Sequence, residues 1–355
     1  MGMPAKIETW QMVEPGKLAR TSIDVPELKP GEALVEIAGC GVCHTDVSYF
    51  YDGVPTVTRP PLTLGHEISG RVVVGDEKLI GKEVIIPAVM PCNNCPICAS
   101  GRGNRCLKQA MPGNSLGIYG GFSSHIPVPA ADLCVVEDRK GMPLEQLAVV
   151  ADAITSPYQA AKRADIQPGD VVVVIGATGG IGVYMTQIAS VMGAAEVIAI
   201  ARNKEKLERS LQYGATYAIS TLDKSVKDVR DEFRSYAKGK KLPSWGLKIF
   251  ECTGSKMGQE IGLELLTFVS KLIVVGYGTA RVEYMLSRLM AFDAEIIGTW
   301  GCLPKYYPEV LQMVLDGKIK VEPFVEVRPM SRLEEALKAS HSGALMKRIV
   351  LTPDF

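Results

Sequence analysis

A cluster of four cysteines carries the strongest chemical signal in the chain. Cys92, Cys95, Cys98 and Cys106 lie within fifteen residues, with gaps of two, two and seven residues between them. Four thiolates at this spacing can surround one tetrahedral zinc ion. The proline, asparagine and glycine residues among them favour the turns that such a metal-binding loop requires. No histidine or carboxylate interrupts the cluster. The pattern therefore predicts a closed, structural zinc site.

The four cysteines have two other interpretations. An iron–sulfur cluster also uses four cysteines, but the bacterial ferredoxin run has a three-residue final gap followed by proline. Here the final gap is seven residues and Leu107 follows. Four unliganded core cysteines are the other alternative, but turn-rich polar surroundings are not typical of inert buried thiols. The spacing favours zinc.

A second group of residues could bind a catalytic metal. Cys43-His44-Thr45 and Gly65-His66-Glu67 are separate in sequence, and neither motif is strong alone. The chain has only four histidines, and His66 stands beside an acid just before a predicted strand. Catalytic zinc typically takes three protein ligands, drawn from His, Cys and carboxylates, and keeps one open position. Cys43 and His66 are therefore candidate ligands.

A glycine-rich stretch predicts a dinucleotide site. It directly follows the β-branched run Val171–Ile175 and opens a helical pattern that Gly193 ends. Glycines let the backbone approach a pyrophosphate, whose charge the helix N-terminus favours. A tight turn without a ligand is the alternative, which the strand–helix context disfavours. The candidate cofactor residues here are Gly176, Gly179, Gly180, Ile181 and Gly182.

The next predicted strand, residues 197–201, bears on the choice of cofactor. NAD enzymes usually carry an acid at the end of this strand for the ribose hydroxyls. Ala201 stands there instead, followed by Arg202 and, within one further turn, Lys206. Basic residues at this corner suit the 2′-phosphate of NADP, whereas an Arg202 that stacks on adenine or lies in solvent is compatible with NAD. Both cofactors stay open.

The elements around these motifs predict two kinds of structure. Short apolar runs at residues 33–37, 68–74 and 83–87, between glycines and prolines, indicate irregular, mostly antiparallel β structure. Helical spacing over residues 148–164 then introduces alternating strands and helices, which predict a doubly wound parallel sheet. Past Gly301, helix, strand, helix and strand are predicted near residues 307–315, 324–327, 333–340 and 348–351. The predicted parallel strands are residues 171–175, 197–201, 248–251, 272–275 and 295–298.

Whole-chain properties limit the partners. A chain of 355 residues predicts two domains. Lys plus Arg equals Asp plus Glu at 39 each, so neither nucleic acid nor an anionic membrane is expected as a partner. No signal peptide and no apolar run of membrane-spanning length is evident. Nine cysteines, an odd number, then indicate a reducing, cytoplasmic location rather than a disulfide scaffold.

Together the motifs resemble one family. Cys43-His44-Thr45, Gly65-His66-Glu67, the four-cysteine lobe and the glycine-rich loop, in this order and spacing, look like the medium-chain zinc-dependent alcohol dehydrogenases over nearly the whole chain. The resemblance implies a GroES-like irregular β catalytic domain, residues 1–153 and 300–355, with its zinc lobe at about 90–110. It implies a doubly wound, Rossmann cofactor domain at residues 154–299. It also implies two zinc ions per chain, NAD or NADP, a small alcohol or ketone as substrate, and a homo-oligomer, dimer or tetramer.

The resemblance further implies roles for single residues. Asp152 takes the place of a third cysteine ligand, as in secondary-alcohol dehydrogenases; a helix cap is its other interpretation. Glu67 would lie behind the ligands or exchange with them. Thr45 would hydrogen-bond the alcohol and start a proton relay, and His44 would contact the cofactor pyrophosphate. Ser48 stands where the last relay residue is often histidine, which leaves the proton's exit open.

A narrower group is also similar: the 6-hydroxycyclohex-1-ene-1-carbonyl-CoA dehydrogenases of anaerobic aromatic degradation. The matching stretches lie at residues 9–12, 111–114, 248–252 and 289–292. This resemblance implies oxidation of a ring secondary alcohol on a CoA thioester with NAD. Two other functions stay open: a zinc-independent quinone or enoyl reductase of the same fold, which generally lacks the four-cysteine lobe, and a zinc-ribbon module that binds nucleic acid, which the neutral charge opposes.

Overall fold

The computed structural model describes residues 4–343 and 345–355. The chain divides into two compact units: Met1–Thr155 with Gly301–Phe355, and Ser156–Trp300. The first is called the β unit and the second the parallel-sheet unit. The predicted domain boundaries differ from these by one or two residues, and the functions assigned to the two domains stay predictions. Among the described helices, none combines the length and apolarity needed to cross a membrane.

The helices and strands are numbered in chain order. The strands are β1 Lys6–Glu14, β2 Lys17–Asp24, β3 Glu32–Gly41, β4 Leu62–Thr63, β5 Glu67–Val74, β6 Glu83–Ile86, β7 His125–Pro129, β8 Cys134–Val136, β9 Val171–Ile175, β10 Glu196–Ala201, β11 Tyr217–Ser220, β12 Lys248–Glu251, β13 Lys271–Val274, β14 Glu295–Gly298, β15 Val325–Pro329 and β16 Arg348–Thr352. The helices are α1 His44–Phe50, α2 Pro96–Ala99, α3 Thr155–Ala164, α4 Gly182–Val191, α5 Lys204–Leu211, α6 Val226–Lys240, α7 Lys256–Leu265, α8 Ser287–Phe292, α9 Tyr307–Leu315 and α10 Leu333–His341.

The β unit is built on a seven-stranded sheet. Its order is β15-β16-β3-β5-β6-β8, and β7 also pairs with β3. Among the described strands of this sheet, only β15 and β16 pair in parallel. Register shifts between β3 and β5, at Leu34/Val35 and Ile37/Gly39, bend the ladder. A smaller sheet, β2-β1-β4, completes the unit. The prediction of irregular, mostly antiparallel structure is confirmed.

The parallel-sheet unit has one six-stranded sheet. Its order is β11-β10-β9-β12-β13-β14, and every pairing is parallel. Numbered within the unit this is 3-2-1-4-5-6, the doubly wound order in which the chain switches direction between β9 and β12. All five residues of β9 are buried, as its unbroken β-branched run predicts. The predicted Rossmann-type sheet is confirmed.

One predicted element was wrong in a way that matters for the site. Helical spacing over residues 148–164 predicted a single helix, but a 3₁₀ helix ends at Ala151 and α3 begins only at Thr155. Asp152 lies in the break with φ −144° and ψ −55°. The Ala151 carbonyl accepts hydrogen bonds from the Thr155 and Tyr307 hydroxyls. Apolar periodicity could not reveal the break because Tyr307 is 156 residues away.

Candidate active site

The residues predicted as catalytic zinc ligands converge in the β unit. Ligand atoms of Cys43, His66, Glu67 and Asp152 all lie within 4.8 Å of one another. Asp152 Oδ2 is 3.5 Å from His66 Nε2 and 3.9 Å from Cys43 Sγ. A tetrahedral zinc with ordinary bond lengths holds such atoms about 3.4–3.6 Å apart. The donor set and its spacing therefore fit a zinc ion.

Strand pairing brings Cys43 and His66 together. Cys43 follows β3 and is the N-cap of α1, and His66 immediately precedes β5. Because Gly41 in β3 is paired with Glu67 in β5, the ends of both strands meet at the site. Gly65 has φ +94°, and a Cβ there would lie 2.7 Å from Cys40 Sγ. A glycine is thus required beside His66.

Asp46, in α1, links the segments that carry Cys43 and His66. This fully buried carboxylate accepts hydrogen bonds from the Cys43 and Gly65 amides, both at 3.0 Å. Its Oδ1 also lies 3.4 Å from His66 Nδ1, which leaves Nε2 facing Asp152. Such a partner sets the ring orientation of a ligating histidine. Burial by itself lowers the pKa of His66, but Asp46 and Cys43 outweigh it and hold that pKa well above its usual value.

Glu67 lies beside the candidate ligands and forms a buried ion pair with Arg348. Its Oε1 accepts a hydrogen bond from Arg348 Nη1 at 2.7 Å, and both side chains are nearly inaccessible. Its Oε2 has no hydrogen-bond partner among the described residues. A Cβ at Gly41 would lie 2.1 Å from that oxygen. Burial raises the pKa of Glu67 to about 7, against the lowering effect of Arg348. A buried carboxylate oxygen without a hydrogen-bond partner, beside a cluster of candidate metal ligands, suits a nearby cation.

The other predicted residues of α1 differ in position. Thr45 is half-buried, and its Oγ1 lies 3.7 Å from Cys43 Sγ. Ser48 is buried three residues further on, which places it on the same side of the helix. His44 is exposed. The structure thus brings Thr45 to the ligand cluster, with Ser48 next along the helix.

The four-cysteine lobe forms a compact sulfur cluster. The Sγ separations are 3.4 Å for Cys95–Cys98, 3.8 Å for Cys95–Cys106 and 3.4 Å for Cys92–Cys106. These are too long for disulfides at about 2.05 Å and close to the edge of about 3.8 Å expected for a zinc–thiolate tetrahedron. The Cys98 amide points at Cys95 Sγ and is the main cause that lowers the pKa of Cys95 to about 6. The geometry fits zinc.

In the parallel-sheet unit, the glycine loop joins β9 to α4. Gly176 has φ +83°, and a Cβ there would lie 2.6 Å from Thr253 Cγ2. A Cβ at Gly182 would lie 2.0 Å from the Gly176 carbonyl oxygen, so the turn admits only glycine. Gly179 and Gly180 are exposed, and Ile181, the N-cap, forms no side-chain cap. An open helix N-terminus in such a cradle suits a diphosphate.

The corner after β10 is basic. Ala201 ends the strand and offers no carboxylate, and Arg202 after it is exposed. Asn203 caps α5 by accepting a hydrogen bond from the Lys206 amide at 2.9 Å. Lys206 is half-buried, and burial, with Arg209, lowers its pKa. This corner can therefore receive an anionic group.

Comparison with known proteins places the chain in a family. The alcohol dehydrogenase GroES-like domain matches residues 29–138, and the zinc-binding dehydrogenase domain matches residues 180–316. An alcohol dehydrogenase of Geobacillus stearothermophilus is 30% identical over 338 residues, covering 94% of this chain and 95% of that one. The chain belongs to the zinc-dependent alcohol dehydrogenases. It is accordingly an NAD(P)-dependent oxidoreductase, and its β unit has the predicted GroES-like fold.

Other relatives of this dehydrogenase have varied names. A sorbitol dehydrogenase of Bombyx mori is 29% identical, covering 92% of this chain and 93% of that one. The structure of acetophenone reductase from Geotrichum candidum in complex with NAD is 26% identical, with a TM-score of 0.85 over 99% of this chain and 98% of that one. A zinc-binding dehydrogenase from Sinorhizobium meliloti bound to NADP, 21% identical over 99% of this chain and 100% of that one, has the same fold, with a TM-score of 0.85.

Two residues of the dehydrogenase's site were not predicted from the sequence. Asp46 could have been found, because an acid three residues after the N-cap is the pattern of a capping box, which Cys43 and Asp46 form here. Arg348 had no such signal. It lies 281 residues after Glu67 and reaches it only because β16 pairs with β3.

Proposed function

We propose that this enzyme oxidises a secondary alcohol to a ketone at a zinc ion held by Cys43, His66 and Asp152. The observation that carries the proposal is the convergence of these three donor atoms at spacings suited to zinc. The names of its relatives, which include a sorbitol dehydrogenase and an acetophenone reductase, agree with secondary-alcohol chemistry. A second zinc, held by Cys92, Cys95, Cys98 and Cys106, would support the fold.

The chain's own residues would prepare the reaction. When bound, zinc would supply a Lewis acid for the alcohol oxygen, and the nicotinamide cofactor would supply the hydride acceptor for the alcohol carbon. Thr45 Oγ1, which lies 3.7 Å from Cys43 Sγ, would take the proton of the substrate hydroxyl, and Ser48, next on the same side of α1, would pass it on. Asp46 keeps the His66 ring in its binding orientation. Burial of Cys43 and His66 excludes water from the ligands. The exchange role of Glu67 and the pyrophosphate contact of His44 stay predictions.

We assign NADP as the preferred cofactor on the charge of the β10 corner. Ala201 provides no carboxylate to repel a 2′-phosphate, and the exposed Arg202 and half-buried Lys206 offer it positive charge. Arg202→Ala is expected to weaken NADPH binding about tenfold or more, because a charge-assisted contact to phosphate is lost. NADH binding should change little. Fluorescence titration of both nucleotides measures this; a wild-type preference for NADH that the substitution leaves unchanged would contradict the assignment.

The substrate we propose is a cyclic secondary alcohol carried as a CoA thioester. Support comes from the four stretches at residues 9–12, 111–114, 248–252 and 289–292 that resemble 6-hydroxycyclohex-1-ene-1-carbonyl-CoA dehydrogenases. That resemblance by itself implies NAD, and the basic residues after β10 would set this enzyme apart from that group in its cofactor. The test is a panel of cyclohexanols, open-chain 2-alkanols, polyols and a hydroxycyclohexenyl thioester beside its free acid, each with NAD and NADP. The highest kcat/KM for the thioester is expected. Higher kcat/KM for polyols would leave the zinc chemistry standing and reject the thioester.

We propose further that two copies of the enzyme pair through β14. This strand forms one edge of the six-stranded sheet, and Ile296 on it is 40% exposed. Leu286 and Met290, beside it in sequence, are 72% and 78% exposed. An unpaired, apolar edge strand favours pairing with another strand. Ile296→Lys is expected to convert a dimer to a monomer in light scattering; a dimer that survives this change would place the interface elsewhere.

A further inference from the structure

The Tyr307 hydroxyl lies directly behind the chain break that carries Asp152. Tyr307 opens α9 and is fully buried. Its hydroxyl donates a hydrogen bond to the Ala151 carbonyl at 2.5 Å and accepts one from the Ala88 amide at 3.1 Å. Ala151 immediately precedes Asp152, and Ala88 lies two residues after the end of β6. The Tyr307 hydroxyl thus connects the start of α9, by hydrogen bonds, to the segment that carries Asp152, a proposed zinc ligand.

The Ala151 carbonyl is the acceptor that these contacts share. Besides Tyr307, it accepts hydrogen bonds from Thr155 Oγ1 at 3.2 Å and from the Ala88 amide at 3.4 Å. A carbonyl at a helix end needs such partners, and here side chains provide two of them. With this carbonyl satisfied, residues 152–154 leave the helical path before α3 begins. The Asp152 carboxylate is thereby turned toward His66 and Cys43.

Packing alone does not account for a tyrosine at position 307. A phenylalanine would fill the same volume, whereas the hydroxyl is used as both donor and acceptor in the interior. Buried polar groups whose bonds are all made hold one arrangement of the chain strongly, because any other arrangement leaves them unsatisfied. Two bonds of this hydroxyl end on backbone atoms, those to the Ala151 carbonyl and from the Ala88 amide, so it constrains the course of the chain beside Asp152.

We propose that Tyr307 is a positioning residue for the catalytic metal. Its hydroxyl, with that of Thr155, holds the break at Asp152 and so sets the affinity of the Cys43, His66 and Asp152 site for zinc. The inference rests on the proposed function, in which Asp152 is a ligand. Groups that orient metal ligands typically change metal affinity about 10- to 100-fold when they are removed. The loss of the hydroxyl should fall in this range.

The test uses the holoenzyme of Tyr307→Phe, which retains the ring and removes the hydroxyl. In chelator competition, zinc at the Cys43 site is expected to bind about 10- to 100-fold more weakly. Zinc in the four-cysteine lobe should be released as in the wild type and provides an internal reference. The visible spectrum of the cobalt-substituted enzyme should shift, because the position of Asp152 changes. Thr155→Val removes the other hydroxyl and should act in the same direction with a smaller effect.

Tyr184→Phe is the matched control, since Tyr184 is also fully buried but belongs to the parallel-sheet unit. It should leave zinc competition unchanged. Wild-type zinc affinity and cobalt spectra in Tyr307→Phe and Thr155→Val would overturn the inference, and so would equal weakening in Tyr184→Phe. If Tyr307→Phe does not fold, Thr155→Val decides. A Cys43→Ser enzyme that keeps two zinc ions would instead reject the proposed function itself.

Discussion

Replacing Cys43 by serine is expected to lower kcat by about 10³-fold or more while the fold is retained. The thiolate is one of three donors, and serine is a poor zinc ligand at neutral pH. Loss of the metal removes several kcal/mol of charge stabilisation at the alcohol oxygen. Each 1.36 kcal/mol added to the activation free energy lowers the rate tenfold. Steady-state kinetics with the best alcohol of the substrate panel provide the measurement.

Cys134→Ser is the control for this substitution. Cys134 is a buried cysteine of the same unit, in β8, and has no place in the proposed chemistry. Its replacement introduces the same buried hydroxyl and should leave kcat within about threefold of the wild type. Circular dichroism shows whether each variant is folded. Turnover in Cys43→Ser equal to that of Cys134→Ser would reject the assignment of Cys43 as a ligand.

Replacing Cys106 by serine should have the largest effect on stability. Cys106 Sγ accepts hydrogen bonds from the Cys92 and Lys108 amides and lies 3.4 Å from Cys92 Sγ. Structural zinc sites contribute about 10–16 kcal/mol of apparent binding free energy in zinc-finger peptides. Losing even several kcal/mol lowers the Tm of a domain of this size by about 10 °C or more. Thermal unfolding and the rate of proteolysis within residues 92–106 measure the effect.

The same Cys134→Ser variant controls for the loss of a buried thiol. It should retain the zinc of the lobe and unfold within a few degrees of the wild type. If Cys106→Ser keeps its full zinc content and its Tm, the lobe does not hold a structural zinc. A lowered Tm with unchanged zinc content would also contradict the site, since the metal and not the thiol is expected to stabilise the lobe.

Local features of this protein could be predicted from its sequence because their partners are near in the chain. The four cysteines fall within fifteen residues, and the glycine loop is adjacent to its strand and helix, so spacing alone indicated their geometry. The parallel sheet followed from β-branched runs alternating with helical patterns, and five of its six strands lie within one residue of their predicted bounds, whereas β11 was not predicted. In the β unit, the runs predicted at residues 68–74 and 83–87 match β5 and β6 in the same way, and the run at 33–37 covers only the first half of β3.

Features that depend on distant contacts could not be predicted in this way. The break at Asp152 follows the Ala151 carbonyl, which accepts a hydrogen bond from Tyr307, 156 residues further along the chain, and apolar periodicity continues across the break. Arg348 reaches Glu67 across a strand pairing that the sequence does not reveal. Asp152 itself was named from a family resemblance, and only the folded chain shows its carboxylate beside Cys43 and His66.

Zinc content per chain, measured in the wild type and in Cys43→Ser, tests the central claim most directly. The account predicts two zinc ions in the wild type and one in Cys43→Ser, with turnover lost together with the second ion. One zinc in both proteins, or two in both, would contradict a catalytic zinc held by Cys43, His66 and Asp152.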